Sequence, residues 1–166
     1  YCLSKSDFNL NFKIKKNNTK NITFGCFNKI NKINNNVIMT WSKILQQVEN
    51  SKLFLKNGSY KNQYIKQSIL KEFKKYGIDN NKIFFEGQSP RSKYFDAYNK
   101  IDISLDTFPC NGGITSFEAA FMGVPILTME NNNSFYQRIG ESVNNNQNMG
   151  SWIAKDEKDY ISKAIK

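Results

Sequence analysis

A strand, a glycine turn and a helix start follow one another between Ile101 and Met122. The apolar run Ile101–Leu105 reads as a buried strand and Pro109-Cys110-Asn111-Gly112-Gly113 as a turn; a helix starts at Ile114 to Thr115 and stops at Gly123 and Pro125. A helix start carries amide N–H groups that the helix cannot use, and its dipole favours negative charge. Gly112 and Gly113 leave no Cβ to hold an anion away from those amides. The chemistry expected is binding of a phosphorylated ligand. Gly112, Gly113, Ile114 and Thr115 supply N–H donors to a diphosphate, and Thr115 adds its hydroxyl.

Other side chains have two roles open to them. Glu118, one turn after Thr115, either closes a Thr-x-x-Glu capping box or accepts hydrogen bonds from a ribose diol. Lys32 either neutralises a phosphate as a point charge or is one more solvated lysine; Lys29 is the weaker case. Tyr94 can stack on a base with Arg91 bracing it, or the two form an ordinary first helical turn. Asp106 reads as an acceptor that fixes its loop, and Cys110 as a small packing residue.

The chain contains no histidine, which excludes Ser-His-Asp, Cys-His and His-ligated metal chemistry within it. Its formal charge of +10 invites a nucleic-acid partner. Against that, Arg91 and Arg138 are the only arginines, and the lysines accompany asparagine runs such as Asn34-Asn35-Asn36, as codon bias would produce. Nucleic acid is therefore not the expected partner. No apolar run approaches the roughly 20 residues of a membrane helix, and no signal segment opens the chain. Cys2, Cys26 and Cys110 have no metal-ligand spacing and read as free thiols of a cytoplasmic protein. Because the chain opens on Tyr1 rather than Met, it is expected to be a piece of a longer protein.

The elements that must position these residues alternate. Residues 1–20 read as a linker or leading arm, and 21–166 as one domain. Strands are expected at Ile22–Phe27, Lys52–Leu55, Ile83–Phe85, Ile101–Leu105, Ile126–Met129 and Ser151–Ala154. Helices are expected from Asn34 or Asn35 through Val48, at Tyr60–Tyr76, from Pro90, at Ile114–Met122, Ser134–Val143 and Glu157–Ile165. Tyr64, Ile65, Ile69, Leu70 and Phe73 face inward on the second helix, and Phe117, Ala120 and Phe121 share one face of the fourth. This alternation predicts an α/β fold, a parallel sheet with helices on both faces. The loops Asn28–Lys32, Gln88–Arg91 and Pro109–Thr115 leave the carboxyl ends of strands and should meet around one ligand.

Phe24-Gly25-Cys26-Phe27-Asn28 with Lys32-Ile33, Trp41-Ser42-Lys43-Ile44-Leu45, the 105–113 segment and Gly123-Val124-Pro125-Ile126-Leu127-Thr128-Met129 recur in order and at matching intervals in one family. Together with Arg138-Ile139-Gly140-Glu141-Ser142 and Trp152-Ile153-Ala154, they resemble the O-linked N-acetylglucosamine transferase (SPINDLY-like) glycosyltransferases, bacterial members included. The resemblance implies the second, nucleotide-holding Rossmann-like half of a GT-B type enzyme. It implies an inverting, metal-independent transfer, with no cofactor, of a sugar from a UDP-sugar to a protein Ser/Thr hydroxyl. Lys32 would then act catalytically by stabilising the leaving UDP. Asn28, Asn111, Gly112, Gly113, Ile114 and Thr115 would line the donor site, with Glu118 on the ribose and Arg91 and Tyr94 flanking the uracil. Gly113 stands where animal members have histidine, Tyr94 where they have a base-stacking histidine, and Ile114 where they have the first of two threonines. The acceptor would be held by regions outside this chain. A non-catalytic nucleotide-binding or scaffolding domain is the other reading.

Overall fold

The computed structural model describes residues 12–15, 21–131 and 134–166. Strands and helices alternate as β1 (Thr23–Cys26), α1 (Asn35–Gln47), β2 (Lys52–Lys56), α2 (Gln63–Lys75), β3 (Ile83–Glu86), α3 (Arg91–Asp96), β4 (Ile103–Leu105), α4 (Ile114–Phe121), β5 (Ile126–Met129), α5 (Ile139–Asn146), β6 (Ile153–Ala154) and α6 (Glu157–Ala164). The strands pair in parallel in the order β3-β2-β1-β4-β5-β6. Strand order reverses between β1 and β4. Their carboxyl-end loops part there and leave a crevice.

Local chemistry explains the elements. Asn34 caps α1 by accepting from the Val37 amide at 3.0 Å, and the spacing of Val37, Ile38, Trp41, Ile44 and Leu45 buries one face. Asn62 caps α2 through the Tyr64 amide, and Asp156 caps α6 through the Asp159 amide. Gly77 ends α2 at φ 73°, a left-handed conformation in which a side chain would be strained. Alternation along the strands sends Phe24, Leu53, Leu55, Leu105 and Leu127 to one core under α1, α2 and α6. Phe27, Phe54 and Ile126 go to a second core under α3, α4 and α5. The sheet is thus covered on both faces, as the alternation predicts.

Several expectations need correction. Tyr64 is 79% exposed, because α2 begins only at Gln63 and its inward stripe is Ile69 and Phe73 with Ile65 and Leu70 partly buried. The segment before it is a 3-10 turn, Gly58–Lys61, that instead buries Tyr60. On α4, Phe117, Ala120 and Phe121 do share a face, half-buried against the second core, and the fully buried residues beside them are Ser116, Glu118, Ala119 and, just past its end, Met122. The expected 134–143 helix divides into a 3-10 turn, Phe135–Gln137, and α5. Most of the expected leading arm (residues 1–11 and 16–20) lies outside the described residues. Residues 12–15 are not a free linker: Phe12 stacks on Phe95 at 4.9 Å, and Lys13 and Lys15 share backbone hydrogen bonds with the Asn99 amide. Among the described residues no helix is long and apolar enough to cross a membrane.

At Gly25 on β1 the second core packs close against the backbone. A Cβ there would lie 2.5 Å from Ile101 Cδ1 and 2.6 Å from its Cγ2. Ile101 is buried just ahead of β4 and cannot swing away. Gly25→Ala should therefore lower stability by about 1–3 kcal/mol, the range for overpacking a close-packed core. A urea midpoint equal to or above that of the wild type would contradict this.

Candidate functional site

The carboxyl ends of β1, β2, β3 and β4 surround a cavity of about 500 Å³. Asn28, Lys29 and Lys32 reach it from the loop after β1, Lys56, Asn57 and Gly58 from β2, Gly87, Gln88, Ser89, Arg91 and Tyr94 from the loop and helix after β3, and Gly113, Ile114, Thr115 and Glu118 from the loop and helix after β4. The three loops expected to converge do so, and the β2 end joins them.

Asp106 organises the β4 loop. Its Oδ1 accepts from Gly112 N at 2.6 Å, Thr107 N at 2.9 Å and Asn28 Nδ2 at 3.1 Å, and its Oδ2 from the Thr128 hydroxyl at 3.0 Å. Burial pushes its carboxyl up despite these donors. Asp106 is thus the loop-fixing acceptor the sequence suggests. Asn28 extends the same network. Its Nδ2 also donates to the Thr107 hydroxyl at 2.9 Å, and its Oδ1 accepts from the Thr115 hydroxyl. Lys32 crosses from the β1 loop and donates to the Asn111 carbonyl.

This network changes the roles of two expected anion ligands. The Gly112 amide is spent on Asp106, and Asn111 is buried with its Nδ2 donating to the Thr107 carbonyl. Neither residue lines the cavity. Internal packing alone requires a glycine at 112, because a Cβ would meet Ser116 Oγ, Asn28 Oδ1 and Thr115 Oγ1 at 2.3–2.9 Å. Ser116 and Phe117 amides bond back to the Gly113 carbonyl. The amides of Gly113, Ile114 and Thr115 then belong to the turn that α4 cannot satisfy itself, and all three residues front the cavity.

Glu118 is not a cap. Gly113 occupies the position before the helix, and no side chain caps it; Thr115 is already helical and bonded to Asn28. The Glu118 carboxylate is 2% exposed and sits in a cage. Arg91 Nη1 lies 2.5 Å from Oε1, while the Tyr94 and Tyr98 hydroxyls donate to Oε2 at 2.6 Å and 3.4 Å. The Tyr94 ring packs edge-on against Phe27, with the Arg91 guanidinium 5.2 Å and the Lys56 ammonium 5.5 Å from its centroid. Arg91 and Tyr94 are therefore joined to Glu118 through side-chain contacts that the local pattern does not reveal.

Lys56 was not legible as a site residue. It ends an apolar strand, where a solvated terminus is the ordinary reading, yet it is 1% exposed. The signal available was its register partner: Lys56 pairs with Glu86 across β2 and β3. Its ammonium donates to Glu86 Oε1 at 2.6 Å, Ser89 Oγ at 2.9 Å and the Gly87 carbonyl at 3.1 Å. Cys26 lies under the β1 end, its thiol pushed up to about 12 by burial, so it stays protonated and unreactive. Among the described residues no group of three or more His, Cys, Asp or Glu could hold a metal ion.

The glycosyl transferase family 41 model matches residues 12–166. A probable UDP-N-acetylglucosamine–peptide N-acetylglucosaminyltransferase SPINDLY of Eustoma exaltatum subsp. russellianum is 33% identical over 145 residues, 87% of this chain and 16% of the plant protein. The UDP-N-acetylglucosamine–peptide N-acetylglucosaminyltransferase of Caenorhabditis elegans is 28% identical over 87% of this chain and 12% of its own length. A solved structure of a Thermobaculum terrenum O-GlcNAc transferase mutant aligns with a TM-score of 0.84 at 28% identity, over 87% of this chain and 28% of that one. Anabaena HepE in complex with UDP-glucose shares the fold, at a TM-score of 0.50 and 13% identity over 88% of this chain and 42% of its own. The chain thus spans a minor part of the relatives it matches.

The Glu86 pair generates a pH test. Burial would raise the Glu86 carboxyl, but hydrogen bonds from Lys100 and Lys56 outweigh it and hold the group below the ordinary 4.5. A depressed folded value contributes stability that is present above pH 4.5 and lost as pH falls through the folded value. Urea midpoints measured from pH 7 to pH 3 should show wild type and Glu86→Gln converging below pH 4.5. A constant difference across that range would assign the stabilisation elsewhere.

Proposed function

This chain belongs to glycosyl transferase family 41, and we propose that it is the nucleotide-binding half of an inverting, metal-independent transferase that moves N-acetylglucosamine from its UDP conjugate to a protein Ser/Thr hydroxyl. One observation carries the reading. At the reversal of strand order, Gly113, Ile114 and Thr115 at the start of α4 and Lys32 from the β1 loop line one cavity. Helix-start amides and a cation are what a diphosphate leaving group needs.

In the proposed reaction, the acceptor oxygen attacks the anomeric carbon as the bond from that carbon to the diphosphate breaks. The departing oxygen gains charge, which Lys32 and the α4 amides stabilise without a metal ion. Glu118 holds the ribose, while Arg91 and Tyr94 flank the base. Lys32 suits the role because its partner is a neutral carbonyl, so its charge is not cancelled by a carboxylate. The peptide acceptor is held by other parts of the full-length protein. The free thiols of Cys26 and Cys110 suit a reducing cytoplasm.

Calorimetric titration tests the site. UDP should bind equally in Mg²⁺ and in EDTA, and Lys32→Ala should weaken it about tenfold to a hundredfold, the value of a charge-assisted hydrogen bond. Unchanged affinity in that variant would remove Lys32 from the site. Wild type should also prefer UDP to 2′-deoxy-UDP, and Glu118→Gln should erase that preference. A preference that survives would take the ribose role from Glu118. Transfer from UDP-N-acetylglucosamine to peptide by the full-length protein completes the test. UDP binding without transfer would instead support a non-catalytic nucleotide-binding domain.

A further inference from the structure

The dipeptide Asn-Gly occurs twice, as Asn57-Gly58 after β2 and as Asn111-Gly112 after β4. It has a chemistry of its own. A glycine amide carries no side chain to shield it, so its nitrogen can reach the side-chain carbonyl carbon of the asparagine before it. Attack there consumes two groups, the glycine N–H and the asparagine Nδ2. Whether it happens depends on what the fold has done with those two groups.

At Asn111 both are taken. The Gly112 amide donates to Asp106 Oδ1 at 2.6 Å and Asn111 Nδ2 to the Thr107 carbonyl at 3.1 Å, while Lys32 holds the Asn111 carbonyl. Asn111 is also buried. At Asn57 neither group is bonded to any described residue. Gly58 is exposed, and a Cβ there would meet only Gln88 Cβ, at 3.9 Å. Asn57 Oδ1 accepts from the Ser59 amide at 3.1 Å, which draws electron density from the carbon to be attacked. The Asn57 amide is tied to the Glu86 carbonyl, so the peptide that must turn is held by one bond, from the Tyr60 amide to the Asn57 carbonyl at 3.0 Å.

We propose that Asn57 is a site of spontaneous self-modification on the cavity wall. The Gly58 nitrogen gives up its proton and bonds to Asn57 Cγ; the bond from Cγ to Nδ2 breaks, and Nδ2 takes up a proton and leaves as ammonia. The cyclic imide that results is opened by water at either carbonyl, which leaves aspartate or isoaspartate. Water is the only co-reactant. A neutral amide that lines the cavity becomes a carboxylate, and isoaspartate also lengthens the main chain ahead of the Gly58–Lys61 turn. The modification does not depend on the nucleotide reading. Its effect on the site does rest on it: a negative charge on the wall opposes an anionic diphosphate.

Peptide mapping by mass spectrometry tests it on the full-length protein, incubated at neutral and at mildly alkaline pH. The Asn57 peptide should gain the mass of an amide turned acid, faster at the higher pH because the attacking nitrogen must lose its proton. The Asn111 peptide should stay unchanged. In urea both should react, since the fold alone protects Asn111. Gly58→Ala should slow the change at Asn57 severalfold by shielding the nitrogen. An unmodified Asn57, equal change at both sites in the folded protein, or an Asn111 that stays intact in urea would overturn the inference. Aged wild type should bind UDP about twofold to tenfold more weakly than fresh protein, and Gly58→Ala should lose less over the same time. Equal affinity before and after ageing would overturn the effect on the site. Fresh protein that binds no UDP would bring down the nucleotide reading itself, while the mass change at Asn57 still decides the modification.

Discussion

The site depends on one buried carboxylate. Asp106, at the tip of β4, gathers donors from the β1 end, from its own loop and from β5. Its backbone carbonyl also accepts from Tyr160 on α6, at 2.9 Å. Taking a carboxylate out of water is costly, and only a full set of donors makes it tolerable. The consequence is positional. The first amide of the glycine pair holds the loop, and the next three residues, at the start of α4, line the cavity. Donors that need no rearrangement are the ones that stabilise a developing charge most effectively.

The distribution of charge around the cavity follows from how each cation is held. Arg91 meets Glu118 and Lys56 meets Glu86, so each carries its counter-charge with it. Lys32 is tied to a carbonyl dipole, which orients the ammonium and leaves its charge available to an anion. This division also bears on the net charge of +10. Three of the cations that line this concave site, Lys32, Lys56 and Arg91, are individually tethered, unlike a basic face that follows a nucleic-acid backbone.

The architecture was largely legible because it rests on local patterns. The Asn34 cap, the α1 stripe and the Gly77 stop each need only a few neighbouring residues, and alternation of elements then implies a parallel sheet. The glycine turn was legible as a turn, and its place beside Lys32 followed from topology. What local patterns hide are contacts between residues far apart in the chain. The Thr115-x-x-Glu118 spacing fits a capping box, but Thr115 is drawn to Asn28, 87 residues away, and Glu118 to Arg91. Gly112 is legible as constrained, but the side chains that crowd it, Ser116, Asn28 and Thr115, include one from a distant loop. Lys56 was overlooked because a lysine at a strand end normally reaches water; only the pairing of β2 with β3 brings Glu86 beside it. Tyr64 failed differently. One more aromatic in a helical stripe looks apolar, but a tyrosine in the first turn of α2 can face solvent at little cost.

Ion pairs with one partner fully buried, as in Lys56–Glu86 and Arg91–Glu118, are poor devices for stability. Replacing such a pair with well-packed apolar residues is often neutral or stabilising, whereas removing one partner is severe. Lys56 with Glu86 and Arg91 with Glu118 are therefore expensive places to put charge if folding were the only demand. Both pairs line or adjoin the same cavity, and both hold α3 and its preceding loop against the strand tips. An apolar substitute could fill the volume, but it could not make the hydrogen bonds that tie Ser89, Gly87 and Tyr94 to these pairs. Geometry of polar groups, rather than net stabilisation, is what these pairs provide. Both pairs sit at the carboxyl edge of the sheet, while the two cores on either side of it are built from aliphatic and aromatic packing.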